Sequence, residues 1–172
     1  MIAKRLIMVK ERVFLIGMMG SGKSAVGAEL AARLNLPFVD TDQAIENKEG
    51  RSIAQIFEQD GEASFRSLEQ ACIQELNAVA QVVACGGGLP CFENNIELLK
   101  DLGLVIYLEA NSELLYERIK GDERRPKLKD FDTFALLKTE RDTVYRKAHH
   151  TIDAAQSIDE IIAELLAFLN HQ

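Results

Sequence analysis

Eight consecutive residues, Gly17-Met18-Met19-Gly20-Ser21-Gly22-Lys23-Ser24, carry the clearest chemistry in the chain. They match G-x-x-x-x-G-K-[ST], a spacing in which glycines let the backbone turn so that successive N–H groups face phosphate oxygens. A helix opening at the end of such a loop adds its positive dipole end. Lys23 can then reach the β- and γ-phosphates of a nucleotide, and the Ser24 hydroxyl can ligate Mg²⁺. The loop points to a nucleoside triphosphate and leaves the phosphoryl acceptor open, because GTPases, motors, transport ATPases and small-molecule kinases all use it.

Other residues bear on the acceptor. In Asp40-Thr41-Asp42 two carboxylates at i and i+2 on an extended strand share one face. One can hold the Mg²⁺ water shell while the other accepts hydrogen bonds from substrate hydroxyls; equally, one of the two can cap a helix. Arg66, on the next helical stretch, is either a binding cation or the partner of Glu62 four residues earlier. Gly86-Gly87-Gly88 follows a short apolar run, and three glycines at a strand end suggest that a ligand approaches the backbone closely. Ten cations and six acids fall between Arg118 and Lys147, so the segment is positive within a chain of net charge −7. Its Pro-interrupted part, Gly121 to Asp130, suits a lid that closes over phosphates, with a solvated charged face as the plain alternative.

These residues need a frame. Short unbroken apolar runs, Val13 to Ile16, Leu36 to Asp40, Gln81 to Cys85, Leu104 to Ala110 and His150 to Ala154, alternate with stretches of helical period. That alternation predicts an α/β fold, three-layer αβα, with a five-stranded parallel sheet covered on both faces. Helical sequence is expected from the phosphate loop through Leu34, up to about Ala80, near Asn94 to Leu102, and at the C-terminal end. There Ile158, Ile161, Ile162, Leu165, Leu166 and Leu169 form one apolar stripe, behind a capping box of Ser157 and Glu160.

The 172 residues, 47% hydrophobic and 27% charged, suit a single domain over 1–172, with the lid at about 121–131. The net charge argues against nucleic acid and anionic membranes as partners. Lys10, Glu11 and Arg12 interrupt any apolar leader, and nothing approaches the roughly 18 apolar residues of a membrane span. Cys72, Cys85 and Cys91 show no C-x-x-C spacing and read as free thiols in a reducing cytoplasm. The adjacent His149 and His150 read as a surface or strand-edge pair, and no metal site is expected there.

Taken in order, GMMGSGKS, FVDTD, the GE-x-x-FR stretch from Gly61 to Arg66, CGGG, the RRP of residues 124–126, and Arg141 with Tyr145 make the sequence resemble the shikimate kinases over nearly its whole length. The resemblance implies a P-loop kinase fold of nucleoside monophosphate kinase type, ATP as co-substrate, Mg²⁺, and shikimate as acceptor, in a cytoplasmic monomer. It implies that Asp42, Arg66, Gly87 and Arg141 hold shikimate, the two arginines on its carboxylate and Asp42 on its hydroxyls. Gly20, Ser21, Gly22, Lys23, Ser24 and the backbone of Ala25 would hold the phosphates, with Ser24 and Asp40 near Mg²⁺. Arg125 would reach the phosphates from the lid, next to a second arginine, Arg124, and Arg118 would flank the adenine, beside a loop near Ala154 to Ser157. Lys23, Asp42 and Arg125 would be the catalytic set. Two rivals are a kinase for another small metabolite, such as gluconate or a nucleoside monophosphate, and a non-catalytic nucleotide-binding module.

Overall fold

Five parallel strands form one sheet in the order β2-β3-β1-β4-β5 in the computed structural model, which describes residues 12–76, 81–120 and 130–171. The strands are β1 (Arg12–Ile16), β2 (Phe38–Asp40), β3 (Val82–Ala84), β4 (Gly103–Glu109) and β5 (His150–Asp153), one in each apolar run. The central strands β1, β3 and most of β4 are buried, which is why their sequences do not alternate with polar residues.

Around the sheet lie α1 (Lys23–Leu34), α2 (Thr41–Glu49), α3 (Ile53–Glu75), α4 (Asn95–Leu102), α5 (Ser112–Ile119), α6 (Phe131–Tyr145) and α7 (Ile158–Leu169). From β1 the chain moves through α1 toward β2, whereas from β3 it moves the opposite way through α4, past β1, to β4. Parallel crossovers are right-handed, so α1 and α4 lie on opposite faces and the architecture has three layers. α7 packs beside α1. Its capping box is present, with Ser157 Oγ accepting from Glu160 N–H and Glu160 accepting from Ser157 N–H. Ile161, Ile162, Leu165 and Leu169 enter the core, but Ile158 in the first turn is 44% exposed, so the apolar stripe begins one turn later than its spacing suggests.

Parallel strands bring all five C-terminal ends to one edge. The registers Asp40↔Ala84, Leu15↔Ala84 and Ile16↔Tyr107 align β2, β3, β1 and β4 there. The phosphate loop leaves β1 where the order of connections reverses, the point at which open α/β sheets bind ligands. A second, smaller core of Ile45, Ile56 and Phe65 lies between α2 and α3. Within α3, Gly61 breaks the helix with φ 79° and ψ 175°, so its two parts point differently.

Several boundaries differ from the expectation. The helical stretch expected up to about Ala80 ends at Glu75, and residues 77–80 lie outside the described ones. Asp130 caps α6 by accepting from Thr133 N–H at 2.8 Å, and Phe131 packs edge-on against Tyr116. The last two residues of the expected lid, 130 and 131, thus form the start of α6, and its other residues, 121–129, lie outside the described ones.

Candidate active site

The phosphate loop is held in shape before any phosphate arrives. Gly20 has φ 84°, and a Cβ there would lie 2.7 Å from the Leu115 carbonyl oxygen of α5, so any side chain would be strained both by conformation and by contact. Ser21 N–H donates to Met18 O at 3.2 Å. Lys23 Nζ folds over the loop, donating to Gly17 O and Met18 O at 2.9 Å each. The first turn of α1 contains no acidic residue, so the positive end of the helix is not offset by its own side chains.

Asp40 closes the site beside α1. Its Oδ1 accepts from Asp42 N–H at 3.0 Å and Gln43 N–H at 3.2 Å, capping α2, while Oδ2 accepts from Ser24 Oγ at 2.5 Å. Asp40 is thus the helix-capping member of the Asp pair. The strand geometry expected for Asp40 and Asp42 does not hold: β2 ends at Asp40 and Asp42 lies in the first turn of α2. Both still line one cleft of about 380 Å³ with Gly20, Gly22, Lys23, Ser24, Ala25, Gly87 and Arg118. Thr41 between them is fully buried and accepts from Gly86 N–H at 2.8 Å, tying the end of β2 to the triple glycine.

That triple glycine seats the three side chains expected to hold the acceptor, one each. A Cβ on Gly86 would overlap Asp42 Oδ1 and lie 3.2 Å from Glu69 Oε1; on Gly87 it would lie 3.3 Å from Arg141 Nη1; on Gly88 it would lie 2.8 Å from Arg66 Nη2 and 3.0 Å from its Cζ. The space was expected to admit a ligand. Protein side chains fill it at Gly86 and Gly88, which places their charges at the strand edge instead.

The two arginines are held differently. Arg66, 11% exposed, donates to Glu69 at 2.6 Å and to Glu62 at 3.0 Å, and its guanidinium lies 5.7 and 5.8 Å from the ring centroids of Phe65 and Phe92. Arg66 therefore pairs with Glu62, and its guanidinium also lies against Gly88. Burial alone would lower its pKa, but the two carboxylates outweigh that and raise it. Glu69 is 1% exposed. Burial pushes its carboxyl up, against the pull of Arg66 and with help from Asp42, to about 7. Arg141 has no carboxylate within ion-pair distance among the described residues. Its Nη1 lies 3.9 Å from Met18 Sδ, and the buried Tyr145 beside it donates to Gly87 O at 2.6 Å.

Arg118 spans the far end of the cleft, donating to Ala154 O at 3.0 Å and Gly20 O at 3.3 Å. This joins the phosphate loop to the turn before α7. Arg124 and Arg125 lie outside the described residues. Cys85 also lines the cleft, and burial pushes its thiol well above the ordinary range, so it is wall and not nucleophile. Glu69, Thr41 and Met18 had no pattern to mark them, although Glu69 stands at i+3 from Arg66, a spacing that permits the ion pair.

A lysine-bearing phosphate loop at the switch point of a parallel sheet, with a hydroxyl and a carboxylate beside it, is a site for nucleotide phosphates; the class this fold and site define is that of the P-loop nucleotide-binding proteins. Within it, the sequence profile described as "Shikimate kinase" matches residues 19–170. A shikimate kinase of a Sulfurihydrogenibium species is 42% identical over 162 residues, covering 90% of this chain and 98% of its own. The structure of shikimate kinase from Acinetobacter baumannii in complex with shikimate superposes with a TM-score of 0.88 at 36% identity, covering 94% of this chain and 93% of that one. That of Aquifex aeolicus reaches 0.84 at 38% identity, covering 92% and 96%. The chain belongs to the shikimate kinase family.

Proposed function

We infer that this chain transfers the γ-phosphoryl group of ATP to the 3-hydroxyl of shikimate, giving shikimate 3-phosphate and ADP, a step of chorismate and aromatic amino-acid biosynthesis. The observation that carries the reading is the seating of Asp42, Arg141 and Arg66 against Gly86, Gly87 and Gly88, with Asp42, Gly86 and Gly87 lining the cleft that also holds Lys23 and Ser24. Two planar guanidinium groups suit a carboxylate, and a carboxylate beside them suits hydroxyls. Arg141, without an ion pair among the described residues, has the freer charge for the substrate carboxylate.

In the proposed step the shikimate 3-oxygen attacks the γ-phosphorus as the bond to the β–γ bridging oxygen breaks. The hydroxyl proton leaves to Asp42 or, from there, to solvent. Asp42 chiefly orients the hydroxyl, since an ordinary carboxylate is a weak base. Lys23 exchanges its carbonyl contacts for phosphate oxygens and offsets their charge, as does Arg125 from the lid. Arg118 flanks the adenine.

The Ser24 hydroxyl and the Asp40 carboxylate, 2.5 Å apart at the phosphate loop, are hard oxygen donors of the kind Mg²⁺ takes, so the residues fit that ion. When bound it would neutralise charge on the β- and γ-phosphates. Asp40, already capping α2 with Oδ1, would act on it through Oδ2 or a water.

The proposal has the protein act as a cytoplasmic monomer on small molecules, without nucleic acid or membrane partners. Among the described residues no helix is long and apolar enough to cross a membrane. A coupled assay of ADP release with shikimate, gluconate and AMP as acceptors tests the reading: stimulation by shikimate alone is expected, and its absence refutes the assignment. Stimulation by gluconate or AMP would instead support the rival kinases.

A further inference from the structure

A cation that must take a substrate carboxylate presents a positioning problem. If a protein carboxylate held it in place, that group would compete with the substrate; if nothing held it, a long flexible side chain would lose entropy on each binding event. Arg66 meets this with Glu62 and Glu69. Arg141 has no such partner among the described residues, yet it stands on the seat formed by Gly87.

We propose that Met18, the second residue of the phosphate loop, is the positioning residue for Arg141, holding its guanidinium through the thioether sulfur without neutralising it. The inference rests on the reading of Arg141 as a shikimate-carboxylate ligand. Met18 is 1% exposed, so its side chain is not a free surface rotor. Its sulfur lies 3.9 Å from Arg141 Nη1 and 3.8 Å from Tyr145 Oη. The Tyr145 hydrogen goes to Gly87 O at 2.6 Å, so toward Tyr145 the sulfur contributes packing, and toward Arg141 it serves as a soft, polarisable acceptor. A guanidinium is weakly hydrated and loses little by resting on such an atom.

The backbone of Met18 is set by the nucleotide site. Its carbonyl accepts from Lys23 Nζ at 2.9 Å and from Ser21 N–H at 3.2 Å. One residue therefore takes its place from the phosphate loop and passes it to the acceptor clamp. Gly87 completes the contact from the other side: a Cβ there would lie 3.3 Å from Arg141 Nη1 and 3.5 Å from Gly17 O.

The test uses the full chain and three variants. Met18→Leu keeps apolar volume and removes sulfur, Met18→Ala removes both, and Arg141→Lys removes the planar fork itself. KM for shikimate should rise about threefold in Met18→Leu and about tenfold in Met18→Ala, the loss of one modest and one larger contact. KM for ATP should rise less than about twofold, since the backbone that shapes the loop is retained. A purely structural role would move both KM values and the melting temperature together, which overturns the proposal. So does a Met18→Leu enzyme with the parent shikimate KM, including the case in which Met18→Ala does not fold. If Arg141→Lys raises the shikimate KM and Met18→Leu does not, only the positioning role fails. If Arg141→Lys also leaves it unchanged, the clamp reading itself is wrong.

Discussion

Replacing Gly88 by alanine should damage acceptor binding while leaving the fold intact. The new Cβ would meet Arg66 Cζ at 3.0 Å and Nη2 at 2.8 Å, where carbon–carbon contacts prefer about 3.5–4 Å. The backbone at Gly88 has φ −82°, which alanine adopts without strain, so the mutation acts through the collision. The guanidinium is the end of a flexible chain and can retreat by roughly 0.5–1 Å. It cannot do so and keep its 2.6 Å bond to Glu69. Weakening one charge-assisted hydrogen bond costs about 1.5–3 kcal/mol, or roughly a tenfold to hundredfold effect. The expected result in steady-state assays is a shikimate KM raised at least about tenfold, with the ATP KM within about twofold and a melting temperature lowered by only a few degrees. A Gly88→Ala enzyme with the parent shikimate KM would refute the reasoning that the glycine seats Arg66. Equal losses for both substrates would point to a displaced loop instead.

The raised Glu69 carboxyl makes stability depend on pH: its contribution is fully present below about 4.5, the unfolded value, and is lost as pH rises through about 7, because the folded state keeps a proton that the unfolded chain gives up. Glu69→Gln removes that titration, so the stability difference between parent and variant in urea unfolding should shrink or change sign by up to about 3 kcal/mol between pH 5 and 8; a pH-independent difference disproves the shift. Asp40→Asn keeps a side-chain oxygen for the α2 cap but loses charge, so it should raise the Mg²⁺ needed for half-maximal rate about tenfold with little change in melting temperature, and Asp40→Ala should raise that requirement and also lower the melting temperature; titration with Mg²⁺ after chelation reads the first effect. Ser52→Ala removes the side-chain half of the capping box on α3 and should cost about 1 kcal/mol. Because the break at Gly61 separates that end of α3 from Arg66, its shikimate KM should stay at the parent value, and a raised KM would show that the two parts of α3 act as one lever.

Much of the fold was legible because parallel strands buried on both faces read as unbroken apolar runs, and all five coincide with strands. The phosphate loop was legible because its function needs particular backbone freedom at particular spacings. The Asp pair was legible as chemistry but not as geometry. Strand and helix both place Asp40 and Asp42 near one cleft, and only the hydrogen bonds to Asp40 Oδ1 reveal that the helix starts between them. Glu69 was invisible because a glutamate on an amphipathic helix looks exposed until the facing glycines are known.

By itself, then, the sequence determined the architecture, the phosphate site and the family, since these depend on local period and on residues contiguous in the chain. Tertiary structure alone decided why three glycines follow β3. Asp42, Arg66 and Arg141 come from three separate helices, and each reaches a different glycine of the run after β3. Each has room there because Gly86, Gly87 and Gly88 carry no side chains. Those contacts join remote segments, and no spacing along the chain encodes them.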